Sequence, residues 1–317
     1  MGKSAIKRSG FKVSENGIEK PVSTKRLEIL KTYKIYIGGQ FPRTESGRYY
    51  VAKNAAGKQL ANICLSSRKD FRDAVLAARG AFGAWSNRAA FNRGQILYRM
   101  AEMLEGRKAQ FLEELIQQDG LRARAEKEIS LAVDRLIYYA GWCDKYQALF
   151  SSVNPVASAH FNFSVPEPMG VVSILAPQND SLLGLISVIA PVIAGGNTCI
   201  VLAAETKPLC AVTFAEVLNS SDLPAAVVNI LTGSIKELAA GFVDHMDVNA
   251  TICCESDPVI RKMMQEKSAG NLKRVFFYDT VDWYSSRRQS PYFILDTQEI
   301  KTTWHPVENI AGAGGTY

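Results

Sequence analysis

Between Val171 and Tyr278 the chain alternates short apolar, largely β-branched runs with segments of helical length, and this alternation limits its fold more than any other property. The apolar runs are Val171–Leu175, Thr198–Leu202, 227–231, 250–254 and 275–278. The segments between them are 182–194, 207–218, 235–242 and 258–268. Strand and helix in repeated succession predict an α/β fold with a Rossmann-like, doubly wound parallel sheet and helices on both faces.

Three amphipathic helices are expected ahead of the sheet. Ser67-Arg-Lys-Asp70 has the spacing of a capping box, and Phe71, Val75, Ala78 and Phe82 follow at helical intervals. A second helix is read through Ile96, Leu97, Met100, Leu104, Phe111 and Leu115, and a third through Ile129, Val133, Leu136, Ile137 and Ala140. Before them, residues 33–41 read as a short strand and a turn punctuated by Gly38 and Gly39.

The net charge of +6 is gathered in the first 34 residues, where nine Lys and Arg face three Glu. Such a segment, 1–32, reads as a solvated basic tail or linker rather than a nucleic-acid surface. Six cysteines without a Cys-X-X-Cys spacing suit reduced thiols and a cytoplasmic location. The longest apolar run, 182–193, is too short for a bilayer span and suits a buried helix. His160, His245 and His305 are too dispersed for a metal or acid-base motif, so no metal site is expected.

Several motifs in order, Tyr138-Tyr-Ala-Gly-Trp-Cys-Asp-Lys-Tyr146, Pro168-Met-Gly-Val-Val172, Pro191-Val-Ile-Ala-Gly-Gly-Asn197, Val228-Asn-Ile-Leu-Thr-Gly233 and His245-Met-Asp-Val248, resemble the NAD(P)-dependent aldehyde dehydrogenases. The wording Ser268-Ala-Gly-Asn-Leu-Lys273 and the passage to Lys301-Thr-Thr-Trp-His-Pro306 are most similar to the noncatalytic second half of aldehyde dehydrogenase family 16. The resemblance implies a coenzyme-binding domain over 33–280 and a C-terminal oligomerisation tail over 281–317. In the family the segment after Asn-Leu-Lys leads to a general-base Glu and then to a catalytic domain with its nucleophilic Cys. Here Tyr278 stands at the position of that Glu, and no cysteine lies between it and the strand that resembles the family's closing one.

The same resemblance assigns the remaining positions. Asn179, in Pro177-Gln-Asn-Asp180, matches the family's oxyanion-binding amide, a donor worth about 3 kcal/mol in a transition state. With no nucleophile to serve, it is expected to be vestigial and to stabilise its loop. Glu205 matches the acid that binds the adenosine ribose, but Leu202 replaces the Lys that accompanies it. A Glu at a strand-to-helix junction is equally a helix-start charge. Ser256 belongs to Cys254-Glu255-Ser256-Asp257-Pro258, which stands where the family has a Thr-Gly-Ser phosphate turn. A like-charge pair at 4 Å costs about 4 kcal/mol at an effective dielectric near 20, against a micromolar affinity of about 8 kcal/mol. Glu255 and Asp257 are therefore expected to repel a pyrophosphate, and no cofactor is expected, NAD or NADP binding weakly if at all.

The expected function is that of a pseudoenzyme, an interaction platform that pairs with itself or with a catalytic aldehyde dehydrogenase through its C-terminal strand. Strands near 159–165 and 292–305 are expected to form the pairing arm. The alternative is an NAD(P)-dependent oxidoreductase or an NAD(P)-binding protein that uses Asn179, Glu205 and Ser256.

Overall fold

The computed structural model describes residues 29–278 and 281–307. The basic tail expected over 1–32 lies, up to position 28, outside them. The described residues from Lys31 on form one compact unit. It opens with a small sheet of β1 (Thr32–Tyr33), β2 (Tyr49–Lys53) and β3 (Gln59–Cys64), in which the β2–β3 hairpin extends the expected strand and turn. Four helices follow: α1 (Arg68–Ser86), α2 (Ala90–Gly106), α3 (Lys108–Asp119) and α4 (Arg122–Trp142). The capping box forms as read, Ser67 Oγ accepting from the Asp70 amide and Asp70 Oδ2 from the Ser67 amide. The single second helix expected through Ile96–Leu115 is two helices, α2 and α3. Arg107 interrupts it with φ −106° and ψ 14°, outside the helical region.

A short α5 (Tyr146–Phe150) leads to β4 (Ser152–Asn154) and β5 (His160–Pro168). The alternating region then gives β6 (Val171–Leu175), α6 (Leu183–Ala194), β7 (Thr198–Leu202), α7 (Leu209–Ser220), β8 (Val228–Leu231), α8 (Ile235–Asp244), β9 (Ala250–Cys253), α9 (Pro258–Ala269) and β10 (Arg274–Phe277). All five strands are parallel, in the order β10-β9-β6-β7-β8. Successive strand residues serve opposite faces. Val172 and Ile174 join the core under α2, α4, α6 and α7, while Val171 and Leu175 join the core under α1, α8 and α9. Every residue of α6 is buried, as its unbroken apolar composition requires.

Beyond β10 the chain does not run out as one extended tail. Residues 281–297 lie against α4 and α6, with Trp283 and Ile294 buried in the main core. They include the short helix α10 (Tyr292–Leu295), so the strand expected over 292–305 begins only at β11 (Gln298–Pro306). Buried Ile294 is a core anchor, which explains why its neighbourhood folds as a turn of helix rather than as an exposed strand. β11 pairs antiparallel with β5 over nine residues, giving a second small sheet in the order β11-β5-β4. The motif ending in Asn197 fastens this return. The Asn197 amide donates to the Thr297 carbonyl at 2.9 Å and accepts from the Gly170 amide. A Cβ at Gly195 would run into Gln298 Nε2, so a larger residue there would push aside the amide that donates to the Gly195 carbonyl.

Candidate functional site

In an open parallel sheet the ligand crevice lies beyond the carboxyl ends of the strands, where the strand order reverses. In this chain that point is between β6 and β9, because β7 and β8 extend one way from β6 while β9 and β10 extend the other. Asn179, Glu205 and Ser256 occupy the three loops that leave β6, β7 and β9 there. The sequence reading thus places all three at one edge of the sheet.

Their surroundings are occupied by the chain itself. Glu205 is half-buried, and its Oε2 accepts from the Ile235 amide at 3.2 Å, at the first residue of α8. The helix start it meets is that of α8, not of α7, the helix that follows its own strand. Leu202 is fully buried at the end of β7. Ser256 is exposed, and its amide donates to Glu255 Oε1 at 2.8 Å; the Asp257 amide donates to the same oxygen at 3.1 Å. Asp257 caps α9, its Oδ1 accepting from the Val259 amide at 2.8 Å.

Asn179 does not tie its loop together through its side chain. It is exposed, and the Asn179 contact among the described residues is its carbonyl, which accepts from Lys207 Nζ at 2.9 Å. The neighbouring amide does that work instead: Gln178 Nε2 donates to the Ala176 carbonyl and Gln178 Oε1 accepts from the Glu205 amide. A one-residue offset along a tight loop reverses which side chain faces inward, so Gln178, read only as a replaced family residue, becomes the bridge.

Sequence reasoning missed the group that closes the crevice from the helical side. Glu128, buried on α4, accepts at Oε1 from the Leu182 and Leu183 amides at the start of α6, at 2.9 and 3.2 Å. Its Oε2 accepts from the Tyr284 hydroxyl at 2.9 Å, and Arg124 Nε donates to that same hydroxyl. Seven residues along α4, on the same face, buried Arg135 donates to Ser187 Oγ and to the carbonyls of Arg288 and Trp283. Glu128 and Arg135 sit within the stripe formed by Ala125, Ile129, Ala132, Leu136 and Tyr139. Two charges two turns apart on a buried face were the available signal.

The positive ends of three helices that converge on this edge, α6, α8 and α9, thus each hold a carboxylate of the chain: Glu128, Glu205, and Glu255 with Asp257. Unpaired amides at a helix start and the helix dipole are what draw an anionic ligand to such an edge. With side-chain oxygens already on them, the residues present do not fit a pyrophosphate.

Nor do the groups near the end of β10 form a nucleophile or a base. Tyr278 donates its hydroxyl to Asp296, and burial raises its pKa far above the ordinary range for a phenol. It packs against Phe293 and Trp283, with ring centroids 5.0 and 6.3 Å away. All six cysteines are buried, and burial pushes the Cys143 thiol up to about 12. Cys253 and Cys254, expected as buried thiols, are at 0% and 8% exposure. Among the described residues no cluster of three His, Cys, Asp or Glu side chains is arranged to hold a metal ion, and no helix is long and apolar enough to cross a membrane.

Comparison with known proteins agrees with this fold. The aldehyde dehydrogenase family model matches residues 41–277 and so ends with the last residue of β10. The chain is 33% identical over 270 residues to mouse (Mus musculus) cytosolic 10-formyltetrahydrofolate dehydrogenase, covering 82% of this chain and 29% of that protein. It is 32% identical to the putative aldehyde dehydrogenase DhaS of Bacillus subtilis, covering 80% of this chain and 52% of that protein. Among solved structures it is similar to the NAD+ complex of an aldehyde dehydrogenase from Bacillus cereus, with a TM-score of 0.74 and 27% identity over 78% of this chain and 50% of that one. The chain therefore spans about half, or less, of the length of these proteins. The matched span is three quarters of its own sequence, and the chain belongs to the aldehyde dehydrogenase family.

Proposed function

We propose that this protein is an aldehyde dehydrogenase-like pseudoenzyme, a structural or regulatory subunit that keeps the coenzyme-domain fold as a platform for pairing with itself or with a catalytic aldehyde dehydrogenase. The observation that carries this reading is the set of carboxylates on the starts of α6, α8 and α9. A dinucleotide would bring its pyrophosphate charge to amides that already have acceptors, beside four like charges. A single such charge at 4 Å costs about 4 kcal/mol at an effective dielectric near 20, and removing it should restore part of that. The position of Tyr278, locked as a donor to Asp296, supports the same reading, because a neutral phenol in that bond has no capacity to act as a base.

The test is calorimetric titration with NAD and with NADP, together with NADH formation from a panel of aldehydes. No saturation is expected at low micromolar coenzyme, and no turnover. The replacement Glu255→Gly should strengthen coenzyme binding, because it removes one of these charges from the turn. Saturation of the unaltered protein at low micromolar NAD, lost on Glu205→Ala, would establish instead a working dinucleotide site and overturn this reading.

A further inference from the structure

We infer that the loop from Asn179 to Leu183, at the head of the crevice, is a proton-operated lid, seated when Asp180 carries a proton and loosened when it loses it. The lid controls access to that edge of the sheet and does so independently of any coenzyme.

Charges around this loop do not balance. Three carboxyls meet there, Glu128 on α4, Asp119 at the end of α3 and Asp180 within the loop, against two cations, Arg124 on α4 and Lys207 after β7. Lys127 is exposed and lies over the Tyr284 ring, 5.7 Å from its centroid, without an ion pair to any of the three among the described residues. One carboxyl is in excess, and the hydrogen bonds identify it. Glu128, 1% exposed, accepts from the Leu182 and Leu183 amides and from the Tyr284 hydroxyl. Asp119 is paired with Lys207 at 2.7 Å. Asp180, 7% exposed, has among the described residues only Arg124, at 3.4 Å, and Arg124 also donates its Nε to the Tyr284 hydroxyl. A buried carboxyl with one long donor, beside a second carboxylate, is the one that keeps a proton.

The loop rests on α6 at Gly184, where a Cβ would come within 2.9 Å of Pro177 Cγ and 3.2 Å of Asp180 Cβ. Its middle is tied by two side-chain cations, Lys207 Nζ donating to the Asn179 carbonyl and Arg124 to Asp180, and its far end by Ser181 Oγ, which donates to the Lys207 carbonyl. Seated, the Asp180 carboxyl is pushed up to about 6 by burial and then by Glu128, with Arg124 and Lys207 drawing it down. Lifted into water, it returns to the ordinary value of about 3.9. Below the lower value both forms are protonated and the proton favours neither. Above the upper value both are ionised, and only the seated form bears a buried charge. Between the two, the ratio of lifted to seated loop rises with pH, by up to about 100-fold over the whole window, whatever its starting value.

The Leu182 and Leu183 amides report the lid, because their acceptor is the Glu128 side chain rather than a helix carbonyl. Hydrogen exchange of the full-length protein without coenzyme, corrected for the intrinsic pH dependence of exchange, measures their protection. It should fall by roughly 20-fold between pH 4.5 and 6.5 and level off above, while amides of residues 188–194 in the same helix keep theirs. Asp180→Asn, which has the shape of the protonated acid, should hold the protection at its acid level at every pH. Arg124→Met removes an exposed cation that steadies the ionised form, so the fall should continue to a higher pH and go deeper, which loss of a merely structural contact would not produce. Should Asp180→Asn fail to fold, the unaltered protein and Arg124→Met still decide. Protection that does not vary with pH in the unaltered protein, a pH dependence that survives Asp180→Asn, or a plateau that Arg124→Met leaves in place would each overturn the inference.

Discussion

Burial and the nearby charge of Glu128 push the Asp180 carboxyl up to about 6, although Arg124 stands 3.4 Å away. A carboxyl with a raised folded-state pKa binds protons in the folded protein that the unfolded chain releases. Its ionisation costs stability in full above about pH 6, and the cost vanishes as pH falls toward 4. A shift of two units corresponds to about 2–3 kcal/mol. Asp180→Asn should therefore raise the unfolding free energy by about 2 kcal/mol at neutral pH, and the gain should shrink to nothing near pH 4. Urea melts of both proteins between pH 4 and 7.5 check this; a constant difference across the range would mean that Arg124 offsets the burial completely. At this scale loop positions were legible but their contacts were not. The motifs alone put Asn179, Glu205 and Ser256 in the loops that leave β6, β7 and β9, whereas Ile235, whose amide Glu205 accepts, and Glu128, which holds the start of α6, come from segments remote in sequence that no local pattern connects.

The segment 281–297 is held by α4 at two points two turns apart. Arg135 is the stronger tie, with three hydrogen bonds and, among the described residues, no carboxylate within ion-pair distance. Burial lowers its pKa, as expected for a cation without a counter-charge. The Tyr139 hydroxyl adds a donation to the Ser290 carbonyl at 3.2 Å. Arg135→Met removes a buried charge, which is favourable, but strands two carbonyls, which costs about 1–3 kcal/mol each. The expected result is faster amide hydrogen exchange over residues 283–290 with little change in the β-sheet, measured by mass spectrometry. Unchanged protection there would mean that the packing of Trp283 and Phe293 holds the segment unaided. Elements with a strong period were legible: the strands of the parallel sheet fall within a residue of their expected bounds, because burial on both faces leaves an unmistakable apolar run. The break at Arg107 and the turn of helix at Tyr292–Leu295 were not, although a local breaker stands ahead of each, Gly106 before Arg107 and Pro291 before Tyr292; the strong apolar period on either side of Arg107 masked the first.

For the molecule as a whole, the return of β11 to β5 is the contact that closes the fold. Its consequences separate at Gln298. Before it, Ile294 is buried in the main core and buried Thr297 is bonded to Asn197. Residues after it are exposed. Truncation after Gln298 should consequently leave a folded protein whose melting temperature falls by only a few degrees, while the self-association expected of β11 is lost; light scattering and a thermal melt report the two effects separately. Removal of everything from Tyr292 should instead unfold the region around α6, because it opens a cavity where Ile294 packed and costs on the order of 2–5 kcal/mol for that side chain alone.

The pairing of β5 with β11 also has a consequence for how the protein is made. Ser164 and Thr302, whose hydroxyls meet at 2.8 Å across the two strands, are 138 positions apart in the chain. At the usual ribosomal rate of about 5–20 residues per second, β5 leaves the ribosome roughly 7–28 seconds before the strand that will cover its edge. During that interval the half-built sheet shows Phe161, Phe163 and Val165 beside an unpaired backbone, with only the three-residue β4 on its other side. The nascent chain is therefore most in need of a chaperone after the parallel sheet has been completed by β10 and before β11 has emerged.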